Sequence, residues 1–173
     1  MQPPFVIYQC INPASTPTDM EKRPPIEKIY EAWSAIADQR IAMTETTSGN
    51  MASGSAVATS SDGSKLYHIS WDGDTYASDD NATYWQRYAG YPVIAVLMLQ
   101  GRLTLDIPES NLWAGINWHS LNEANKRDYA AAAREAMASN GINPDTAEQE
   151  AAKVMSELEK LPITLKRKRL RGN

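Results

Sequence analysis

At 173 residues the chain is long enough for one compact domain, with room for a helical addition. Its 42% hydrophobic and 22% charged residues and net charge of −4 exclude a disordered or fibrous chain. The longest apolar run, Val93 to Leu99, falls well short of the roughly 20 residues a membrane span needs, and the single cysteine, Cys10, excludes an internal disulfide or a cysteine-built metal site within one chain.

The start, MQPPFVIYQC, carries no basic n-region and no cleavage signal, so a mature N-terminus and a cytoplasmic protein are expected. Phe5 to Ile11 has the composition of a short strand, and the proline-rich NPASTPTDMEKRPP that follows reads as a loop. Pro25 suits the first position of a helix. Ile26, Ile29, Tyr30, Trp33 and Ile36 then fall on one helical face, which belongs in the core. Residues 42–55 are small and polar, a connection or a weak strand. Beyond them Asp62-Gly63 separates two stretches of alternating polarity, the pattern of a β-hairpin closed by a type I′ turn. On the second strand Leu66, His68 and Ser70 face one way while Tyr67, Ile69 and Trp71 face the other. Asp72-Gly73 offers a second turn.

The segment YASDDNATYWQRYAGYPVIAVLML runs from a polar loop through an aromatic cluster into an unbroken apolar helix. Trp85 and Tyr88 are expected in the core; other aromatics of the cluster could form an exposed platform. Gly101 suits the helix end, and Leu103 to Ile107 alternates like an edge strand stopped by Pro108. Ser120 and Glu123 match a capping box ahead of an alanine-rich helix that stops at Asn140-Gly141. Asn143-Pro144 starts the next helix, with Ala147, Ala151, Val154, Leu158 and Leu161 on one stripe and Pro162 as its end. The fold class is α+β: a small antiparallel sheet or hairpin packed with helices, then a C-terminal helical hairpin. The organisation is a domain over 1–110, the helical hairpin over 111–163 and a basic tail over 164–173.

Chemistry is sparse in the sequence. His68 and His119 have no neighbouring nucleophile or metal-site partner, and Cys10 sits in an apolar run. The acidic stretch with Asp72, Asp74, Asp79, Asp80 and Asn81 lacks the spacing of a calcium loop and suits turns and caps. Phosphate-loop, dinucleotide and zinc-protease motifs are all missing, so neither an enzyme class nor a cofactor is indicated. The tail LKRKRLRGN concentrates Lys166, Arg167, Lys168, Arg169 and Arg171 on an otherwise acidic chain. It is either a polyanion- or partner-contacting arm or a solubilising end.

The order of hairpin, polar knuckle and apolar helix resembles the SWIM zinc finger, whose ligands follow Cys-x-Cys and Cys-x-His, over residues 56–101. The hairpin Val57-Ala-Thr-Ser-Ser-Asp-Gly-Ser-Lys-Leu-Tyr67-His-Ile69 and the helix Val93-Ile94-Ala95-Val96-Leu97 carry the likeness. Aligned on them, Tyr76, Ser78, Gly90 and Pro92 occupy the four ligand positions. None of the four can replace the thiolates or imidazoles that a structural zinc requires. The resemblance therefore implies a degenerate finger without metal, closed by packing of Tyr76, Tyr84, Trp85, Tyr88 and Tyr91. The chain is also similar to small uncharacterised archaeal proteins.

These readings together favour a non-enzymatic interaction module, an accessory or adaptor subunit with a protein partner and no membrane association. The alternative is a nucleic-acid-binding protein, including a ribosome-associated one, that uses the tail and exposed aromatics. A third reading, an enzyme built on His68 or His119 beside Asp72 to Asp80, ranks below both.

Overall fold

The computed structural model describes residues 20–167. The strand expected over Phe5–Ile11, Cys10 and the tail residues Lys168, Arg169 and Arg171 lie outside them. Helix α1 (Glu27–Ala37) buries Ile29, Tyr30 and Trp33 as its periodicity requires. A five-stranded sheet follows, with β1 (Ile41–Ser48), β2 (Met51–Thr59), β3 (Leu66–Asp72) and β4 (Thr75–Ser78) in an antiparallel meander. After a π-helical turn (Ala82–Gln86) come α2 (Tyr91–Leu99), α3 (Ile107–Asn111), α4 (Trp118–Ala124), α5 (Tyr129–Asn140) and α6 (Pro144–Lys160). The last strand, β5 (Thr164–Arg167), joins the edge of the sheet parallel to β4.

The α+β class and the C-terminal helical region are as the sequence implies. Helix α2 is the centre: every residue from Pro92 to Met98 is buried. A helix apolar on all faces has no solvent side, so other elements must enclose it. Helix α1 packs along it, and the inner face of the sheet supplies Ala56, Ala58, Ile69, Trp71 and Tyr76 to the same core. A ladder of rings extends that core away from the sheet: Tyr30 stacks on Trp113 at 4.4 Å, and Trp113 on Trp118 at 5.9 Å. The alanines Ala133, Ala136, Ala147 and Ala151 belong to the same core, where α5 and α6 both contact α1.

Several local expectations are corrected. For residues 42–55 the strand alternative holds and the connection does not: they are most of a long hairpin, β1 paired with β2 from Ile41↔Ala58 to Ser48↔Met51. Its turn is Gly49-Asn50, with Gly49 at φ 63°. Gly54 lies against the ring of Trp71, and a Cβ there would overlap that ring and the Thr44 carbonyl. The β2–β3 connection is a six-residue loop rather than a type I′ turn: Ser60 N donates to Lys65 O, and only Gly63 has positive φ. The turn between β3 and β4 does form, with Asp72 opposite Thr75.

Leu103 to Ile107 is not a strand. Glycine capping after α2, with Arg102 N donating to Leu97 O, turns the chain so that Leu103 enters the core. Thr104 N then donates to Glu157 Oε2 at 2.7 Å. Pro108 does not stop a strand but stands in the first turn of α3, capped by the Asp106 side chain. The cap of α4 is Asn117, whose oxygen accepts from Ser120 N, and no capping box forms at Ser120. The alanine-rich helix is interrupted: Lys126 and Arg127 adopt positive φ, and Asp128 recaps the chain as α5. Asn143 and Pro144 start α6 as expected.

Candidate ligand-binding cleft and the knuckle beside it

The knuckle between β4 and α2 is held by one buried carboxylate. Ser78 Oγ donates to Asp80 Oδ2 at 2.6 Å, and the amides of Ala82 and Thr83 donate to Asp80 Oδ1 at 3.0 and 3.1 Å. Gly90 N donates to Thr83 Oγ1 at 3.1 Å, and Gly90 lies so close to the Asp80 carboxylate that a Cβ would overlap it. Two of the four degenerate ligand positions, Ser78 and Gly90, thus meet at Asp80. The other two serve the core. Tyr76 is buried, its hydroxyl donating to Gln100 Oε1 at 2.7 Å and accepting from Arg102 at 3.0 Å, and Pro92 lies in the first turn of α2. Aromatic packing alone does not close the knuckle, because Trp85 is 66% exposed and contradicts its expected place in the core. Tyr88 is half-buried. The reason is that the π-helical turn ends at Arg87 in a left-handed conformation, separating these rings from α2.

Beside the knuckle a cavity of about 580 Å³ opens between α1, the β2–β3 loop, the π-helical turn and α4. That volume lies inside the range of roughly 300–1,000 Å³ usual for small-molecule sites. The cleft's inner charges are already paired. Lys28, 11% exposed, donates to both oxygens of Glu31, 7% exposed, at 3.0 and 2.9 Å. Burial alone would push Lys28 down, but the Glu31 carboxylate overcomes it and holds the ammonium above its ordinary value. Arg40 donates to the Thr59 carbonyl at 2.8 Å and to Ser34 Oγ at 3.2 Å, and its guanidinium lies 5.9 Å from the Tyr91 ring centroid. Asp62 accepts from Ser60 Oγ and from the amide and hydroxyl of Ser64, which hold it well below the usual carboxylate range.

Among neutral groups of the lining residues, Tyr91 donates to the Thr59 carbonyl at 3.3 Å, but others have no partner. Trp118 Nε1, a donor, and Asn122 Oδ1, an acceptor one helical turn on, are buried without a hydrogen-bond partner. Both residues line the cleft. The hydroxyls of Tyr67, Tyr88 and Tyr129, also lining residues, hydrogen-bond to no protein group among the described residues.

The remaining residues singled out by sequence fall as follows. His68 pairs with Asp79, Nδ1 to Oδ2 at 2.9 Å, while its amide donates to the same carboxylate at 2.7 Å; neither residue lines the cleft. His119 is at the cleft, its Nε2 4.0 Å from Asp62 Oδ2. The acidic run disperses: Asp74 pairs with Arg102, Asp79 with His68, and Asp80 serves the knuckle. Among the described residues no group of three His, Cys, Asp or Glu could hold a metal ion, and no helix is long and apolar enough to cross a membrane. Lys166 and Arg167 stand on β5, opposite Ala77 and Ser78. The Arg167 guanidinium lies 5.6 Å from the Tyr84 ring centroid, and Tyr84 meets Trp85 edge to face.

The cleft itself was missed by sequence reasoning. Lys28 and Glu31 on α1, Arg40 after it, and Trp118 and Asn122 on α4 come from three places in the chain, and no sequence pattern links those places. The one local sign was the aromatic density of residues 84–91.

The chain belongs to the family described as Uncharacterised conserved protein UCP014422, whose model matches residues 21–164. Neither the curated proteins nor the solved structures contain a match to it.

Two outcomes follow from this geometry. Gly90 has an extended backbone that any residue adopts, so Gly90→Ala acts only through its collision with Asp80. It is expected to cost about 2–4 kcal/mol in urea unfolding; a variant within about 0.5 kcal/mol of the parent would remove Asp80 from its role as the closure. The second concerns alkaline pH. Burial raises Tyr30, Tyr67, Tyr76, Tyr88 and Tyr91 above their ordinary value, and Lys28 is raised by Glu31 against its burial. Groups raised in the folded state stabilise it fully below their unfolded values near pH 10, and that stability is lost as pH climbs through the folded values. Tyrosinate absorbance of these five phenols should therefore appear together with loss of near-ultraviolet circular dichroism; ionisation near pH 10 with the fold intact would contradict the burial argument.

Proposed function

We propose that this protein works by recognition rather than catalysis, as a non-enzymatic interaction module in the cytoplasm, an accessory or adaptor subunit whose recognition surface is the cleft and its aromatic rim. One observation carries this reading: Lys28 and Glu31, buried in the cleft, are paired with each other, while Trp85 stands exposed at its rim. A catalytic site needs a nucleophile or base poised beside a reacting atom. Here Lys28 is occupied by Glu31 and raised, and the Ser60 and Ser64 hydroxyls donate to Asp62 rather than to a base. Exposed Trp85 at the rim is the kind of side chain on which binding energy concentrates. Capture from the native source should recover a stoichiometric protein partner, and Trp85→Ala should weaken that capture at least tenfold while leaving the melting temperature unchanged. Capture unaffected by Trp85→Ala would remove the cleft from the reading.

A second reading, binding of single-stranded nucleic acid, is favoured by the contact of Arg167 with Tyr84 beside exposed Trp85. A basic strand next to an open aromatic is the arrangement that tracks a phosphate backbone and stacks a base. On this reading the purified protein is retained on a polyanion column, elutes as salt rises, and loses retention when Lys166, Arg167, Lys168, Arg169 and Arg171 are neutralised. Salt-independent behaviour would sink it.

We also infer that residues 76–92 are a SWIM-like frame in which the Asp80 hydrogen bonds replace the metal. The meeting of Ser78 and Gly90 at Asp80 supports this. Zinc found in the purified protein by elemental analysis would overturn it.

A further inference from the structure

We propose that the open edge of β1 pairs antiparallel with β1 of a second copy of this chain, joining two five-stranded sheets into one. The inference goes beyond the recognition reading and is independent of the cleft. Strand β1 ends the sheet, with β2 on one side and no described strand on the other. The phase of its backbone decides which groups that edge presents. Thr59 N donates to Arg40 O, and Ile41 stands opposite Ala58. Bonded and non-bonded pairs alternate along an antiparallel ladder, so Ala42, Thr44 and Thr46 turn their amides and carbonyls to β2. Ile41, Met43, Glu45 and Thr47 turn theirs to the open edge. There the backbone of these four finds no hydrogen-bond partner among the described residues.

A bare edge is a template for another strand, and proteins that stay monomeric blunt it with brevity, lysine, proline or a bulge. The two edges of this sheet differ in that respect. Strand β5 is four residues long and carries Lys166 and Arg167. Strand β1 runs for eight residues, IAMTETTS, without proline, lysine or arginine, and its register with β2 is unbroken. Its one charge, Glu45, is occupied by Gln100 Nε2, from which it accepts at 2.6 Å. Both ends of the described chain lie at the other edge: Arg167 ends β5, and Glu21 shares a small pocket with Leu165 and Arg167. No residue of β1 lines that pocket or the cleft, so the edge gives a foreign peptide no side-chain pocket to select it.

The edge is, however, complementary to itself. With Thr44 opposite Thr44 of the second copy, Ile41 bonds to the copy's Thr47 and Met43 to the copy's Glu45, and every outward group is used. Slipping by one bonded pair either sets Glu45 against its own like charge or leaves Thr47 opposite Gln39, outside the strand. One two-fold register is preferred.

The test is sedimentation of the intact protein from about 1 to 300 μM, together with cysteine cross-linking. An edge contact buries little area, so a reversible dimer with a Kd of about 1–100 μM is expected. Thr47→Pro deletes an outward amide that bonds nothing within the chain. It should raise the Kd at least tenfold and leave the melting temperature of the dilute protein unchanged. In a Cys10→Ser background, Thr44→Cys should give a disulfide-linked dimer on oxidation, because a non-bonded antiparallel pair sets its Cα atoms about 4.5 Å apart. Ala42→Cys should not, since its copy stands about 13 Å away along the strand. A monomer throughout the range would overturn the inference. So would a dimer indifferent to Thr47→Pro, or one in which Ala42→Cys cross-links as readily as Thr44→Cys. Loss of partner capture in Thr47→Pro, from a chain that is itself monomeric, would give the edge to a partner's strand and overturn the second copy. The Trp85 dependence of capture decides the cleft reading separately.

Discussion

Everything in this fold answers to the burial of α2. Seven consecutive residues, Pro92 to Met98, are buried, and burying each large apolar side chain contributes roughly 1.5–3 kcal/mol. A helix so enclosed cannot be reached or left by a loose chain, because its terminal amides and carbonyls would be stranded in an apolar core. The two ends therefore carry the structure's most specific polar devices. At the start, the Asp80 carboxylate gathers Ser78, Ala82 and Thr83, and Thr83 accepts from the amide of Gly90 next to Tyr91. At the finish, Gly101 turns the chain with a positive φ, and Arg102 ties to Tyr76 and Asp74 on β4 and the turn before it. Both devices fasten the central helix to the strand that ends in the knuckle.

The cleft is the remainder of that solution. Helix α1, the β2–β3 loop, the π-helical turn and α4 leave a gap of about 580 Å³ between them. Had the gap served only packing, selection for stability would fill it with apolar side chains. Instead it contains a buried Lys28–Glu31 pair, a combination that rarely stabilises more than hydrophobic residues of the same volume. Trp118 Nε1 and Asn122 Oδ1 on α4 are also buried and unpaired, as are Trp33 Nε1 and Trp71 Nε1 away from the cavity. Each is unfavourable for the isolated fold. The ion pair is the cost that belongs to the cavity itself.

How much of this the chain announces depends on whether the signal is local. The faces of α1 and α6, the strand over Leu66–Trp71 and the apolar α2 were legible because periodicity is a property of neighbours in sequence. The β1–β2 hairpin was not, since its residues are small and polar and its existence depends on pairing and on Trp71 covering Gly54. Proline misled at Pro108, where removal of a donor suits the first turn of a helix as well as it suits the end of a strand. Trp85 misled because hydrophobicity says what burial would contribute and nothing about whether the backbone presents the ring inward. The site was least legible of all. Lys28 and Tyr129 make a cation–π contact from distant points of the sequence, and only the tertiary path brings them together.

The knuckle shows the same division at finer scale. Alignment to a metal-bound frame rested on hairpin and helix, which are local patterns. It assigned closure to aromatic packing, whereas the hydrogen bonds converge on Asp80, a residue that by composition looked like loop filler. A carboxylate can stand at such a point for the reason a metal can: it is one centre that several converging groups must approach together. The two differ in what they demand of those groups. A metal requires deprotonated donors at fixed distances and supplies its binding energy to folding. A carboxylate requires amides and hydroxyls, which the backbone and Ser78 already provide, and it requires room, which Gly90 provides by having no Cβ. The absence of ligand chemistry at Ser78 and Gly90 is therefore informative in itself, since a hydroxyl donor and an empty Cβ position are what closure by a buried carboxylate needs there.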